Sequence, residues 1–254
     1  MKILACYKII PEDQDIIVNS NKTLALDKAE LKISPYDLNA VEAGVEIAAA
    51  VPGSTLVGLS VGNKKYLENS KLRKDVLSRG PDSLSLVIDD AYASLLPEAT
   101  AKILAQAATK EGFDLILCGE GSGDFYSQQV GTLLGEYLDL PNINSVSKII
   151  PGNGSITVER TLESEVETLE VPLPAVISVT TDINVPKVPN MKSILNAGKK
   201  TVSTLEIAAD AGQMSAENLS ILAPDQADRL NIIVEGDSDD SIAAFIENIR
   251  KVLA

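Results

Sequence analysis

The sequence predicts an α/β fold with a doubly wound, mostly parallel sheet, antiparallel additions and a C-terminal arm. Up to about residue 140, short apolar segments alternate with amphipathic ones through short links, as in a parallel sheet covered by helices on both faces. From residue 142 the apolar segments follow one another through hairpin-like links such as GNG at 152–154. This change of pattern predicts the antiparallel strands.

The first elements follow from start and stop signals. The run from Lys2 to Ile10 predicts a strand, and residues 19–21 predict a hairpin turn. Ser34 and Pro35 suit the N-cap and first position of a helix, because proline lacks the N–H that would be unpaired there. The Pro52-Gly53 pair ends this helix near residue 51.

The next elements complete the alternating part. They are predicted as a strand at Thr55–Val61, a basic amphipathic helix at Lys64–Arg79, a strand at Leu84–Ile88 and a helix at Glu98–Glu111. Gly112 follows as the C-terminal stop of the last helix.

The segment from Asp114 to Tyr137 lies at the centre of the predicted fold. A buried strand, DLILCG, leads through a glycine-rich turn into the helical pattern QQVGTLLGEYL. Such a turn lets backbone N–H groups and a helix N-terminus face an anion. A plain βα turn with a good cap gives the same pattern, so spacing alone leaves both interpretations open. Asp124 and Ser127 are candidate caps, and Asp124 is also a candidate partner of a ribose.

The C-terminal part predicts strands, an exposed segment and an arm. The strands are Ser145–Ile150, Ser155–Thr161, Glu165–Val171 and Ala175–Thr180. The proline- and lysine-rich run at 182–200 is either a surface loop leading into a short helix or a protruding docking segment. Thr201–Pro224 predicts a linker, Arg229–Glu235 a strand and Ser238–Val252 a helix. The expected domains are therefore 1–181, 182–200 and 201–254.

A binding crevice is predicted where the carboxyl ends of the parallel strands converge. The predicted ends are Cys6–Lys8, Val61–Gly62 and Cys118–Gly123. Three ends that carry glycines or turns favour a ligand site more strongly than any one of them.

Composition excludes several classes of function. The chain of 254 residues has no histidine, which removes histidine-based catalysis and most zinc sites. Its net charge of −14 and 4% aromatic content argue against nucleic acid and anionic membranes as partners. Cys6 and Cys118 are predicted to be buried apolar residues, which suits a reducing cytoplasm. We expect no signal peptide and no membrane insertion.

Several separated motifs together resemble one family. They are the opening KILACYK, ISPYDLNAVEAG, RKDVLSRGPD, CGEGSGDFYSQQVG, VERTLESEVETLEVPLPAVISV and INVPKVPNMKSILNAGKK. These motifs resemble the beta subunit of the electron transfer flavoproteins, and the similarity covers nearly the whole chain. It is closest to the branch associated with nitrogen fixation and carnitine-type reductases.

The resemblance implies a nucleotide at the crevice, either AMP or a second FAD, while the redox FAD is held mainly by the alpha subunit. The positions that match the family's binding residues are Cys6, Ser34, Tyr36, Asp37, Val61, Gly119, Gly121, Ser122, Gly123, Asp124, Ser127, Gln128, Gln129 and Val130. Glu120 departs from the family, because many members carry a neutral or basic residue there. A carboxylate beside a diphosphate is repulsive unless it points away.

The resemblance also implies the partners. The 182–200 segment matches a recognition loop that docks an apolar side chain on an acyl-CoA-type dehydrogenase or reductase. The residues placed there are Met191, Lys187, Lys192, Ile194 and Leu195. The 201–254 arm would wrap the alpha subunit, and the chain would carry no catalytic residues of its own. The alternative is a stand-alone nucleotide-binding regulatory or hydrolytic domain of the same fold.

Overall fold

The computed structural model describes residues 1–208, 212–225 and 231–253. Its α-helices are α1 (Pro35–Ala50), α2 (Lys64–Leu67), α3 (Ser70–Ser78), α4 (Pro97–Glu111), α5 (Val130–Leu138), α6 (Met191–Ala197) and α7 (Asp239–Leu253). Two short 3₁₀ helices, Asp13–Asp15 and Asp90–Ser94, supplement them.

The strands of the described residues belong to three sheets. They are β1 (Lys2–Cys6), β2 (Ile9–Pro11), β3 (Ile17–Val18), β4 (Leu24–Ala25), β5 (Leu31–Ile33), β6 (Thr55–Gly62), β7 (Ser83–Ile88), β8 (Leu115–Gly119), β9 (Asn142–Pro151), β10 (Ser155–Thr161), β11 (Val166–Pro172), β12 (Ala175–Val179) and β13 (Thr201–Thr204). The pairs β2–β5 and β3–β4 form small separate sheets.

The main sheet confirms the predicted doubly wound α/β class. Its strand order in the described residues is β11-β10-β9-β12-β8-β1-β6-β7-β13. All neighbours from β9 to β13 run parallel, whereas β10 pairs antiparallel with both β9 and β11. The acidic strand β11 is therefore one edge of the sheet and β13 is the other.

Apolar clusters lie on both faces of the sheet. Ile3, Leu115 and Ile177 pack under α1 on one face, while Leu4, Ile116 and the alanines of α4 pack on the other. The alternation along β1 and β8 sends successive side chains to opposite faces. Strands buried on both faces are therefore apolar throughout, as parallel strands require.

The chain divides into two units. The large unit comprises residues 1–17 and 25–220, and the small unit comprises residues 18–24 and those from 221 onwards. Within the small unit, Thr23 pairs with Leu222, and α7 exposes apolar side chains such as Phe245 and Ile249.

Two predicted elements are interrupted where polar side chains accept hydrogen bonds from the backbone. The predicted strand Lys2–Ile10 leaves the sheet after Cys6, because the Lys8 N–H donates to the Asp37 carboxylate at 2.7 Å. The predicted helix Lys64–Arg79 is two helices. The Asn69 side chain accepts hydrogen bonds from the backbone N–H groups of Lys71 and Leu72 and caps the second one.

Three C-terminal predictions were wrong in detail. The strand Ala175–Val179 is not antiparallel; it lies between β8 and β9 and is parallel to both. The segment predicted as a linker from Thr201 begins with β13, which pairs with β7. Residues 231–235, predicted as part of a strand, form no strand, and residues 229–230 of that prediction lie outside the described residues.

Lys200 fastens the start of β13 to the end of α3. Its Nζ donates to three backbone carbonyls, those of Leu77 at 2.9 Å, Gly80 at 3.2 Å and Pro81 at 2.6 Å. A cation that satisfies carbonyls at a helix C-terminus is stabilising. Partial burial lowers the pKa of Lys200.

Replacing this lysine tests its structural role. Lys200→Met should lower the free energy of unfolding by about 1–3 kcal/mol, because three partly buried carbonyls lose a charged donor. Urea denaturation measures the change. Lys199→Met is the matched control, since Lys199 is exposed; equal stability of the two variants would contradict the role.

Candidate functional site

The switch point of the sheet lies between β1 and β8. From β1 the chain builds outward through β6 and β7 on one side, and through β8 and β12 on the other. Ligands in open α/β sheets bind beyond the carboxyl ends of the strands at such a point. The strand ends predicted from the sequence, Cys6–Lys8 and Cys118–Gly123, meet here.

A buried carboxylate holds these strand ends against α1. Asp37, in the first turn of α1, is only 7% exposed and accepts hydrogen bonds from the backbone N–H groups of Lys8 and Gly119. A Cβ at Gly119 would lie 2.7 Å from the carbonyl carbon of Tyr36. Glycine is therefore required at the end of β8 for close approach of the helix.

Burial raises the pKa of Asp37 to about 7. The hydrogen bonds from Lys8 and Gly119 favour the charged form and oppose this shift, as does the positive charge of Lys8. Desolvation is the larger effect because the side chain is almost entirely removed from water.

Asp124 anchors the glycine-rich turn beside Asp37. Its carboxylate forms an ion pair with Lys8 and accepts a hydrogen bond from the Ser122 hydroxyl at 2.5 Å. Burial raises the pKa of Asp124, but the Lys8 ammonium and Ser122 outweigh this effect and hold it below the usual value. The Gly123 N–H donates to the Ser34 hydroxyl at 3.4 Å. The predicted residues Ser34 and Asp124 thus lie on the same side of the crevice.

An open cleft of about 540 Å³ lies over this turn, within the size range of small-molecule sites. The residues that line it are Asp13, Lys32, Pro35, Tyr36, Glu120, Gly123, Tyr126 and Thr181. Tyr36 and Tyr126 form its aromatic part, with ring centroids 4.9 Å apart.

Sequence patterns did not identify Tyr126, Lys32 or Thr181. Tyr126 has a backbone φ of +48°, and Gln128 has +56°, which is uncommon for residues other than glycine. These angles turn the chain between β8 and α5. The direction in which such side chains point can be predicted only when the backbone conformation of the turn is known.

The start of α5 differs from the prediction. The helix begins at Val130, and its N-cap, Gln129, makes no side-chain capping hydrogen bond. Neither Asp124 nor Ser127 caps the helix, so that prediction was wrong. Ser127, Gln128 and Gln129 are exposed, and the unpaired N–H groups of the first turn are those that bind anions in other helices.

Other predicted site residues lie farther from the cleft. Val61 packs against an apolar cluster near the end of β6, and Cys6 is buried. Cys118 and burial raise the pKa of Cys6, so this thiol is poorly nucleophilic.

The 182–200 segment presents a second candidate surface. It leads into α6, whose N-cap Asn190 accepts a hydrogen bond from the Ser193 N–H at 3.0 Å. Met191 is 72% exposed and Leu195 is 69% exposed. Two large apolar side chains on one short helix form an exposed patch among lysines.

The model of the electron transfer flavoprotein domain family matches residues 22–210, which is well over half of the chain. The match covers α1, the glycine turn and the 182–200 segment.

This chain belongs to the electron transfer flavoprotein family.

Members of the family are flavin-binding proteins that transfer electrons and work with dehydrogenases and partner subunits. The glycine turn and the exposed segment therefore lie within the matched residues, whereas Lys8 and Asp13 of the crevice precede them. Among the described residues, every helix is too short or too polar to cross a bilayer.

The pKa of Asp37 predicts how stability depends on pH. Because the pKa in the folded state is raised, this group's contribution is fully present below the pKa of the unfolded chain and is lost as pH rises through about 7. Relative to Asp37→Asn, the natural chain should lose on the order of 3–4 kcal/mol between pH 4 and pH 8.

Urea denaturation of both proteins across this pH range measures the difference. Glu46→Gln is the control, because Glu46 is an exposed carboxylate on the same helix. Parallel stability profiles for the natural chain and Asp37→Asn would show that the carboxyl group is not held protonated by burial.

Proposed function

We propose that this chain is the beta subunit of a heterodimeric electron transfer flavoprotein. It would pass electrons between an acyl-CoA-type flavin dehydrogenase or reductase and other redox partners. The observation that carries the proposal is the exposed pair Met191 and Leu195 on a lysine-rich segment, in a chain of this family. We also propose the branch associated with nitrogen fixation and carnitine-type reductases, flavin-based bifurcation as an added capacity, and a cytoplasmic location.

The crevice fits a nucleotide. The start of α5 has no side-chain cap, so the N–H groups of its first turn are available to an anion. Lys8 offers a positive charge, and Tyr36 and Tyr126 offer aromatic surface for a base. We propose that this site takes either AMP or a second FAD, while the other FAD is shared with the alpha subunit.

The two acids near the cleft suit a ribose better than a phosphate. Glu120 lines the cleft, and Asp124 is already paired with Lys8. Carboxylates accept hydrogen bonds from sugar hydroxyls and repel phosphates. A nucleotide would then place its phosphate towards Ser127, Gln128 and Gln129 at the start of α5.

A bound flavin would supply the redox chemistry, and the protein would supply position and surroundings. The chain's own residues would bind the nucleotide, exclude water from its buried side and present the docking segment. Histidine-based proton transfer has no place in this proposal, because the sequence has no histidine.

We propose that the 182–200 segment docks the dehydrogenase through Met191, Ile194 and Leu195, with Lys187 and Lys192 beside them. Methionine is flexible and adapts to an apolar pocket. The small unit from residue 221 onwards would contact the alpha subunit through the apolar face of α7, where Ile242 and Phe245 are exposed.

A stand-alone nucleotide-binding regulatory or hydrolytic domain is the second candidate. The cleft of about 540 Å³ is compatible with it. The hypothesis of a stand-alone domain does not explain the exposed apolar residues of α6 and α7, which a domain acting alone would leave in water.

Cofactor content separates these possibilities. The chain should be purified together with any subunit that accompanies it, and the flavin and adenylate released on denaturation should be measured by absorbance and mass spectrometry. We expect a heterodimer with either two FAD, or one FAD and one AMP. A stable homodimer that hydrolyses nucleotides would refute the proposal.

The docking proposal predicts a specific kinetic defect. Met191→Ala should lower the rate of electron transfer with the dehydrogenase about tenfold. Truncating an apolar anchor residue that becomes buried in the complex costs more than about 1 kcal/mol of binding free energy. Stopped-flow flavin spectroscopy measures the rate, and flavin content should be unchanged. An exposed residue away from the segment, as in Ile150→Ala, is the control; equal rates for both variants would remove Met191 from the interface.

A further inference from the structure

The first part of the 182–200 segment is held on α1 by buried polar groups. Asn39 is 5% exposed, and its Nδ2 donates to the backbone carbonyls of Thr181 at 3.2 Å and Asn184 at 3.0 Å. In return, Asn184 Nδ2 donates to the Asn39 carbonyl at 3.1 Å. The two side chains therefore join α1 and the segment in both directions.

Glu42 makes the next connection, about one turn farther along α1. It is 3% exposed, and its Oε2 accepts a hydrogen bond from the Lys187 N–H at 3.3 Å. Glu42 Oε1 has no hydrogen-bond partner of good geometry among the described residues, but it lies 2.7 Å from Lys187 Nζ. The Lys187 ammonium therefore compensates the buried charge.

Asn39 and Glu42 are buried polar residues that alternate with apolar residues along α1. Ala40, Val41 and Ala43 pack into the apolar core around them. Burying an amide or a carboxylate is unfavourable unless its hydrogen bonds are satisfied. Asn39 meets that requirement with two backbone carbonyls of the segment, and Glu42 meets it with the N–H and the ammonium of Lys187. The two side chains therefore specify the path of residues 181–187.

The far end of the segment is fixed independently. Ala197 is buried in a cluster with Leu72 and Val76 of α3, and Lys200 binds the carbonyls that follow α3. The part between the two attachments carries Met191, which is exposed. Attachments on both sides restrict the orientations that this residue can adopt.

We propose that Asn39 and Glu42 are positioning residues that hold residues 181–187 on α1 and thereby fix the orientation in which Met191 and Leu195 meet a partner protein. The inference rests on the proposed docking function. Lys187 acts in it through Glu42, by compensating the buried carboxylate, and contributes to docking indirectly.

Hydrogen exchange tests the attachment without any partner. In the purified protein with its natural subunits, Asn39→Ala and Glu42→Gln should each speed amide exchange in peptides covering 182–190 by about tenfold, because local opening needs less free energy. Lys187→Gln should have the same effect, and its side chain is 73% exposed, so the variant does not threaten folding. Glu136→Gln, an exposed change on α5, should leave exchange unchanged.

Kinetics with the dehydrogenase test the consequence. Asn39→Ala and Glu42→Gln should raise the KM for the partner about fivefold, since the segment must be ordered during binding, and should leave kcat and flavin content unchanged. Faster exchange together with a raised KM supports the proposal. Unchanged exchange in all three variants overturns it.

Met191→Ala separates this proposal from the docking function. If Met191→Ala raises the KM but Asn39→Ala and Glu42→Gln do not, docking stands and the positioning role is overturned. If none of these variants changes the KM, the docking function fails and the positioning role fails with it.

Discussion

The crevice depends on one carboxylate that is removed from water. Asp37 accepts backbone hydrogen bonds from the residues that follow β1 and end β8, the two strands at the switch point of the sheet. These bonds stop β1 at Cys6, bring Gly119 against α1 and direct the glycine turn over the gap. The cost is desolvation, which raises the pKa of Asp37 to about 7. The local stability of the crevice is therefore linked to proton concentration.

The apolar pattern predicted most of the fold. Runs such as TLVGLSV and DLILCG are strands because strands buried on both faces must be apolar throughout, and Ser34, Pro35 and Gly112 mark helix ends for reasons of backbone chemistry. The same pattern carries no direction, so β12 was placed antiparallel although it is parallel to both neighbours.

The candidate site was predictable in its location and less so in its side chains. Strand ends and glycines identified the crevice, the glycine-rich turn identified Asp124, and Asp37 came from the family resemblance. Tyr126 and Lys32 reach the cleft through turn geometry and through the β2–β5 pair. Those contacts join residues far apart in the chain, which local periodicity does not report. Local patterns likewise did not predict the contacts of Asn39 and Glu42, because their partners lie about 145 residues away in the chain.

The edge strand β11 has a consequence for the behaviour of the free chain. Among the described residues it is paired on one side only, which leaves its outer row of N–H and C=O groups without a neighbouring strand there. Glu167 and Glu170 lie in this strand, Glu163 and Glu165 precede it, and Pro172 ends it. A second copy aligned on this edge would bring like charges together, which is destabilising between neighbouring strands. The acidic residues at this edge therefore disfavour edge-to-edge pairing between copies of the chain.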